Sequence, residues 1–294
     1  MHNGAAQLRR LIDRPGIARF IGAHNALGAK IAERAGFDGV WSGSFEISAS
    51  HGVPDASILG QSDHLAVARE MAGCVGVPVL VDCDTGYGEA SQFAHAVRQF
   101  EAAGIAGVCI EDKLFPKLNS FIAGRQSLAP VEDFLNKLDA GRRAQRTSDF
   151  VIVARTEALI AGCGREEALL RARAYADAGA DAVLIHSKST TVDELASVAR
   201  AWDRPTPLVA VPTTYYTVTA NELAALGFKI AIYANQGMRS ALRAMELVYD
   251  HILRTGTTAG IEERLMPMKT IFELQGHESE GGSVSINLGK EIAK

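Results

Sequence analysis

Short, almost wholly apolar runs recur along the chain: ARFIGA (18–23), GVWS (39–42), VPVLVDCD (77–84), GVCIED (107–112), FVIVART (150–156), AVLIHS (182–187), PLVAVPT (207–213) and KIAIYAN (229–235). Continuous Val, Ile and Leu in runs this short predict strands buried on both faces, as in an all-parallel sheet. Between them, as over 90–103 and 165–178, apolar residues fall at i, i+3, i+4 and predict helices. The phrases ERAGFDGV, EAAGIAG and DAGADAV stand just before strands, with a glycine suited to a left-handed helix cap. About eight such βα units close a (β/α)8 TIM barrel, an α/β fold. The alternative is an open doubly wound sheet, yet no GxGxxG follows an early strand. The barrel is assigned to residues 1–255. Residues 256–294 fall outside the repeat, with a helix from about Met266 to Gln275 and a Gly/Ser-rich stretch, QGHESEGGSVS, that reads as mobile. This tail is expected to contact a neighbouring subunit or to cover the barrel mouth.

Composition narrows the function. The chain has 294 residues, 47% apolar and 22% charged, which suits one large domain or two. Its net charge is -4 and its basic residues are scattered, so a nucleic-acid partner is not expected. No apolar run reaches the ~18 residues that span a bilayer, and the first residues lack a signal-peptide core, so the expected location is cytoplasmic. Cys74, Cys83, Cys109 and Cys163 form no CxxC pair and read as reduced core thiols.

Polar residues cluster where a barrel keeps its chemistry, at the C-terminal strand ends. Strand two ends in Trp41-Ser42-Gly43-Ser44, strand three in Asp82 and Asp84, strand four in Glu111 and Asp112, strand five in Arg155 and Glu157, strand six in His186 and strand seven in Pro212-Thr213. Asp82 and Asp84 are two apart, so strand alternation puts them on one face with Cys83 pointing away. Three carboxylates in one space repel each other unless a cation joins them, and oxygen-only ligands point to Mg2+ or Mn2+ rather than zinc. Helix caps are the plainer reading of such acids. Arg155 in the apolar run VIVAR needs an anionic partner. His186 can equally be a core histidine. The loop after strand four adds Lys113, Lys117, Asn119 and Ser120, completing a pocket for a small anionic substrate.

These stretches, taken in order, resemble the phosphoenolpyruvate mutase family of the isocitrate lyase/phosphoenolpyruvate mutase superfamily. EDKLFPKLNS matches its EDK, five residues, NS pattern. DCDTGYG, WSGS followed by SASHGVPD, VARTEALIAG, GADAVLIHSK, VPTTYY and KTIFELQG extend the likeness over most of the chain. The resemblance implies a barrel whose eighth helix is exchanged with a neighbour, a homotetramer built from dimers, and Mg2+ near the substrate. It implies an isomerase that interconverts phosphoenolpyruvate and phosphonopyruvate. By the same likeness Asp82 contacts the metal, while Asp55, Asp84 and Glu111 hold its waters. Arg155, His186, Asn119 and Ser120 grip the phosphoryl group, with Lys117 beside them. The turn of Trp41, Ser42, Gly43, Ser44 and Phe45 takes the substrate carboxylate. Lys113 to Phe121 form a gate.

The chain departs from the family at Ser42-Gly43-Ser44, where relatives carry Gly-Ser-Gly, which leaves open which hydroxyl binds the carboxylate. It also lacks the Lys-Lys-Cys-Gly-His loop of the lyase branch, so carbon–carbon cleavage is not expected. Phosphonopyruvate hydrolase, which passes the phosphoryl group to water, is the alternative activity; the likeness implies that it lacks the Asn of the NS pair. A binding protein without turnover is a third reading. For a mutase the equilibrium favours phosphoenolpyruvate, because its enol phosphate cannot ketonise, so net phosphonate biosynthesis requires a downstream enzyme that consumes phosphonopyruvate.

Overall fold

The computed structural model describes residues 3–124, 126–280 and 283–286. The chain divides into two compact units, residues 1–235 and 236–294; the sequence reading draws that line later, after residue 255.

In the first unit eight parallel strands close into a barrel in sequence order. They are β1 (Ala18–Ala23), β2 (Gly39–Ser42), β3 (Val79–Asp82), β4 (Gly107–Glu111), β5 (Val151–Thr156), β6 (Ala182–Ile185), β7 (Leu208–Ala210) and β8 (Phe228–Tyr233). All eight runs named from the hydrophobic pattern are strands, and β8 pairs back onto β1 to close the ring. Helix α1 (Gly4–Asp13) precedes β1, and α2 (Ala26–Arg34) follows it. Then come α3 (Ser44–Ser50) and α4 (Gln61–Cys74) after β2, α5 (Ala90–Ala102) after β3, α6 (Val131–Ala144) after β4, α7 (Gly164–Asp177) after β5, α8 (Asp193–Arg200) after β6 and α9 (Ala220–Ala225) after β7.

Alternation along the strands sorts the core into two layers. Val79, Val81, Val108, Ile110, Ile152 and Ala154 face outward and pack with helix residues such as Phe93, Phe100 and Phe134. Leu80, Cys109, Val153, Leu184 and Val209 face inward and fill the barrel with Phe20, Trp41 and Ile230, closed by Leu8 and Ile12 of α1. Burial on both faces is why the strands read as unbroken apolar runs. The three pre-strand glycines, Gly36, Gly104 and Gly179, have φ of 86°, 79° and 90° and end α2, α5 and α7 by the left-handed cap the sequence predicts.

Three local expectations change. Strand β3 stops at Asp82, because Asp84 takes φ 48° and turns the chain. The segment after Gly43 is a helix, α3, not an open turn. Of the four cysteines, Cys83 and Cys109 are core thiols and Cys74 is half-buried, but Cys163 is exposed just before α7, where the chain leaves the barrel wall.

The second unit begins with α10 (Gln236–Thr255), whose described side chains are exposed apart from a few, Met238 alone being fully buried. A 3-10 turn (Glu262–Arg264) and α11 (Met268–Leu274) follow. The stretch read as mobile carries two antiparallel strands, β9 (His277–Glu280) and β10 (Ser283–Ile286). Gly281, Gly282 and residues 287–294, also part of that tail, lie outside the described residues.

Candidate active site

The inward layer of the barrel determines what reaches its mouth. Leu80, Cys109, Val153 and Leu184 point inward, so the residues two further on, Asp82, Glu111, Arg155 and His186, stand above them on four consecutive strand ends. Strand pairing sets Glu111 directly opposite Arg155 and Asp82 opposite Cys109. The Arg155 guanidinium lies 3.2 Å from Glu111 Oε2 and 3.7 Å from Asp82 Oδ2. Its Nε pairs with Glu157 Oε1, and its Nη2 is 2.9 Å from His186 Nδ1.

The segment after β4 crosses this mouth and touches both sides. On the acidic side Lys117 Nζ sits 2.7 Å from Asp55 Oδ1 and 2.8 Å from Asp84 Oδ1, and Asn119 Nδ2 donates to Asp55 Oδ2 at 2.7 Å. On the basic side Ser120 Oγ donates to Glu157 Oε2 at 2.6 Å, and Lys113 Nζ donates to Ser120 Oγ at 2.7 Å and to the Leu118 carbonyl at 2.9 Å. The Phe121 ring stands edge-on to the His186 ring at 5.8 Å. Lys117, Asn119 and Ser120 are therefore held in the site by side-chain bonds, not merely near it in sequence.

The turn after β2 divides its roles. Trp41 is buried in the inner layer, Gly43 precedes α3, and Phe45 is exposed. Ser44 Oγ donates to Asp82 Oδ2 at 3.2 Å, whereas the buried Ser42 hydroxyl makes no hydrogen bond. Asp84 reaches the same space as Asp82 by its left-handed turn, its N–H donating to Asp82 Oδ1 at 3.2 Å, and not by strand alternation. Cys83 does point away, into the outer layer.

Of two further strand-end residues expected at the mouth, Glu157 is there and Asp112 is not. Asp112 turns outward, accepting from Tyr175 Oη at 2.6 Å, Thr156 Oγ1 at 3.0 Å and the Glu157 N–H at 2.8 Å. Glu157 is fully buried at the centre of the basic side. Alternation carries the signal for both: counting two from Arg155 turns Glu157 inward, and counting one from Glu111 turns Asp112 outward.

Charge is unevenly satisfied. Burial pushes Asp82, Asp84, Glu111 and Glu157 upward. At Asp84 the Lys117 ammonium outweighs it and holds the carboxyl below its usual range, and at Glu157 the Arg155 and His186 side chains do the same more strongly. Asp82 stays raised by burial and by the charge of Asp84. Burial pushes Glu111 up to about 7 despite Arg155 and Lys113. The His186 imidazole is lowered, chiefly by burial. Asp82 and Glu111 are thus short of positive charge.

That shortage tests the fit of a divalent cation. Glu111 Oε1 is buried and accepts no hydrogen bond, and the acidic side chains of this space, Asp55, Asp82, Asp84 and Glu111, offer carboxylate oxygens, which suit Mg2+. Among the described residues no three acidic, imidazole or thiol groups close on one point. By the chemistry of their side chains the carboxylates present fit such an ion.

Residues 8–253 match the family described as phosphoenolpyruvate phosphomutase. A phosphonopyruvate hydrolase from Variovorax sp. (strain Pal2) is 45% identical over 273 residues, 92% of this chain and 94% of that protein. The solved structure of phosphoenolpyruvate phosphomutase from Streptomyces platensis subsp. rosaceus superposes with a TM-score of 0.92 at 55% identity, covering 93% of this chain and 95% of that one. A phosphonopyruvate hydrolase solved in complex with oxalate and Mg++ gives 0.88 at 43% identity, with 93% and 95% covered. Barrel and sequence agree: the chain belongs to the phosphoenolpyruvate phosphomutase family, an enzyme family of phosphoryl and phosphonate chemistry.

Proposed function

We propose that the protein is a phosphoenolpyruvate mutase, interconverting phosphoenolpyruvate and phosphonopyruvate. The observation that carries this reading is Asn119. Its amide is anchored on Asp55, beside Lys117, so that the segment from Lys113 lies shut over the mouth. A closed mouth excludes water, and water is the competing acceptor for a loosely bonded phosphoryl group. The 55% identity to a solved mutase supports the same choice. The 45% identity to a hydrolase keeps the second reading in play, in which the same pocket delivers the group to water.

In the direction from phosphonopyruvate, the bond between C3 and phosphorus breaks and its electron pair stays with the pyruvate fragment as an enolate. Arg155 and His186 hold the phosphoryl oxygens while that bond opens. The turn of Trp41 to Phe45 keeps the fragment oriented, so its enolate oxygen meets phosphorus and forms the new bond of phosphoenolpyruvate. Asn119 and Ser120 keep the mouth closed meanwhile. Asp82 would hold Mg2+ directly, with Asp55, Asp84 and Glu111 holding its waters. When bound, the ion supplies positive charge for the developing enolate. The exposed Leu242, Leu247, Tyr249 and Leu253 of α10 support exchange of this helix with a neighbouring copy in a homotetramer; light scattering that returns a single-chain mass would remove that assembly.

Incubation of the purified protein with phosphonopyruvate and Mg2+ tests the reading. Phosphoenolpyruvate is the expected product. Pyruvate with phosphate would make it the hydrolase, and no turnover would make it a binding protein.

A further inference from the structure

Glu157 is fully buried, and each of its oxygens has separate work. Oε1 accepts from Arg155 Nε and lies 2.6 Å from His186 Nδ1. Oε2 accepts from Ser120 Oγ at 2.6 Å and lies 3.3 Å from Lys113 Nζ. We infer that Glu157 is a positioning residue that latches the gate to the Arg155–His186 pair, so that closing the mouth and aiming the grip are a single event.

A simple neutralising role does not account for this geometry. Arg155 already faces Glu111 at 3.2 Å and Asp82 at 3.7 Å, so its charge is met without a third carboxylate. What Glu157 adds is direction: contact at Nε, on the edge away from the fork, fixes the plane in which the two terminal nitrogens point. The carboxylate is rigid, so a shift of Ser120 on one oxygen moves the pair on the other. Its own backbone is fastened, because the Glu157 N–H donates to Asp112 Oδ1 at 2.8 Å. Asp112 in turn is held by Tyr175, by Thr156 and by Arg171 Nη1 at 3.3 Å. The triplet Glu111-Asp112-Lys113 therefore serves three sides of one device: Glu111 the mouth, Asp112 the seat of the latch and Lys113 the gate. With both oxygens engaged, and negative itself, Glu157 is unsuited to touching an anionic substrate.

The inference rests on the mutase reading only for what the grip holds; the latch can be tested without substrate. Glu157→Gln keeps the shape but leaves one acceptor oxygen, which can serve the gate or the guanidinium but not both. Hydrogen exchange of residues 113–121 is expected to quicken about ten-fold in substrate-free protein, with the barrel strands unchanged. With phosphonopyruvate and Mg2+, kcat should fall more than KM rises, and residual product should shift toward pyruvate and phosphate. A purely structural role would lower the melting temperature and speed exchange throughout without moving the product ratio. Should Glu157→Gln fail to fold, Ser120→Ala removes the gate end of the same bond and should give the same local quickening. Unchanged exchange over 113–121 in the folded variants overturns the latch. A wild type inert toward phosphonopyruvate would overturn the mutase reading while the exchange result still decides the latch.

Discussion

Lys117 brings one positive charge into a space bounded by Asp55, Asp84, Asp82 and Glu111, and burial fails to lower its pKa because those carboxylates hold its proton. It satisfies Asp55 and Asp84 and leaves Asp82 and Glu111 wanting. Asp82→Ala is therefore expected to abolish turnover and to flatten the response to added Mg2+; near-normal activity at low Mg2+ would take Asp82 out of the metal site. Glu111 adds a pH dependence with a definite sign. Its carboxyl is raised to about 7, so a proton competes with the cation below that pH and leaves above it. The Mg2+ concentration for half activation should rise as pH falls through this range; a flat response would show that Glu111 does not serve the ion. Arg155→Lys should lose roughly 10²-fold or more in kcat/KM with the fold intact, since an ammonium cannot reproduce a planar grip held at Nε. The residue scale was partly legible. Their place at strand ends sent Asp82, Glu111, Arg155 and His186 to one mouth, whereas the period-two argument for Asp84 fails because it arrives through a left-handed backbone. The Lys117–Asp55 pairing spans 62 positions and has no local signal at all.

At the scale of elements, the proposed function makes the gate responsible for where the phosphoryl group goes. It is bonded inward at Lys117, Asn119 and Ser120, while Leu114, Phe115, Leu118 and Phe121 remain exposed. Asn119→Ala removes one inward bond from a surface segment, so stability should move by no more than about 0.5–1 kcal/mol, read as an almost unchanged melting temperature. Phosphoenolpyruvate formation should fall roughly 10²-fold, and pyruvate and phosphate should take a larger share. An unchanged rate and ratio would show that the segment does not gate. Strands and the longer helices were readable because burial writes their period into the sequence. The short helix α3 was not: SFEISAS spans seven residues, too few for its period to stand out from the turn before it.

For the whole molecule, the count of strands followed from burial on both faces, which keeps the strand interiors below the mouth apolar apart from Arg19 and Lys229 near the starts of β1 and β8. The second unit was harder to read, because α10 exposes apolar residues that no partner within the chain's pattern announces. In the proposed reaction the assembled site passes the phosphoryl group from carbon to oxygen without letting water in. Running the reaction from phosphonopyruvate in water enriched in heavy oxygen, with phosphorus NMR of the products, tests it most directly. Phosphoenolpyruvate whose phosphoryl group carries no solvent oxygen is the expected product. Inorganic phosphate bearing one heavy oxygen as the main product would contradict it.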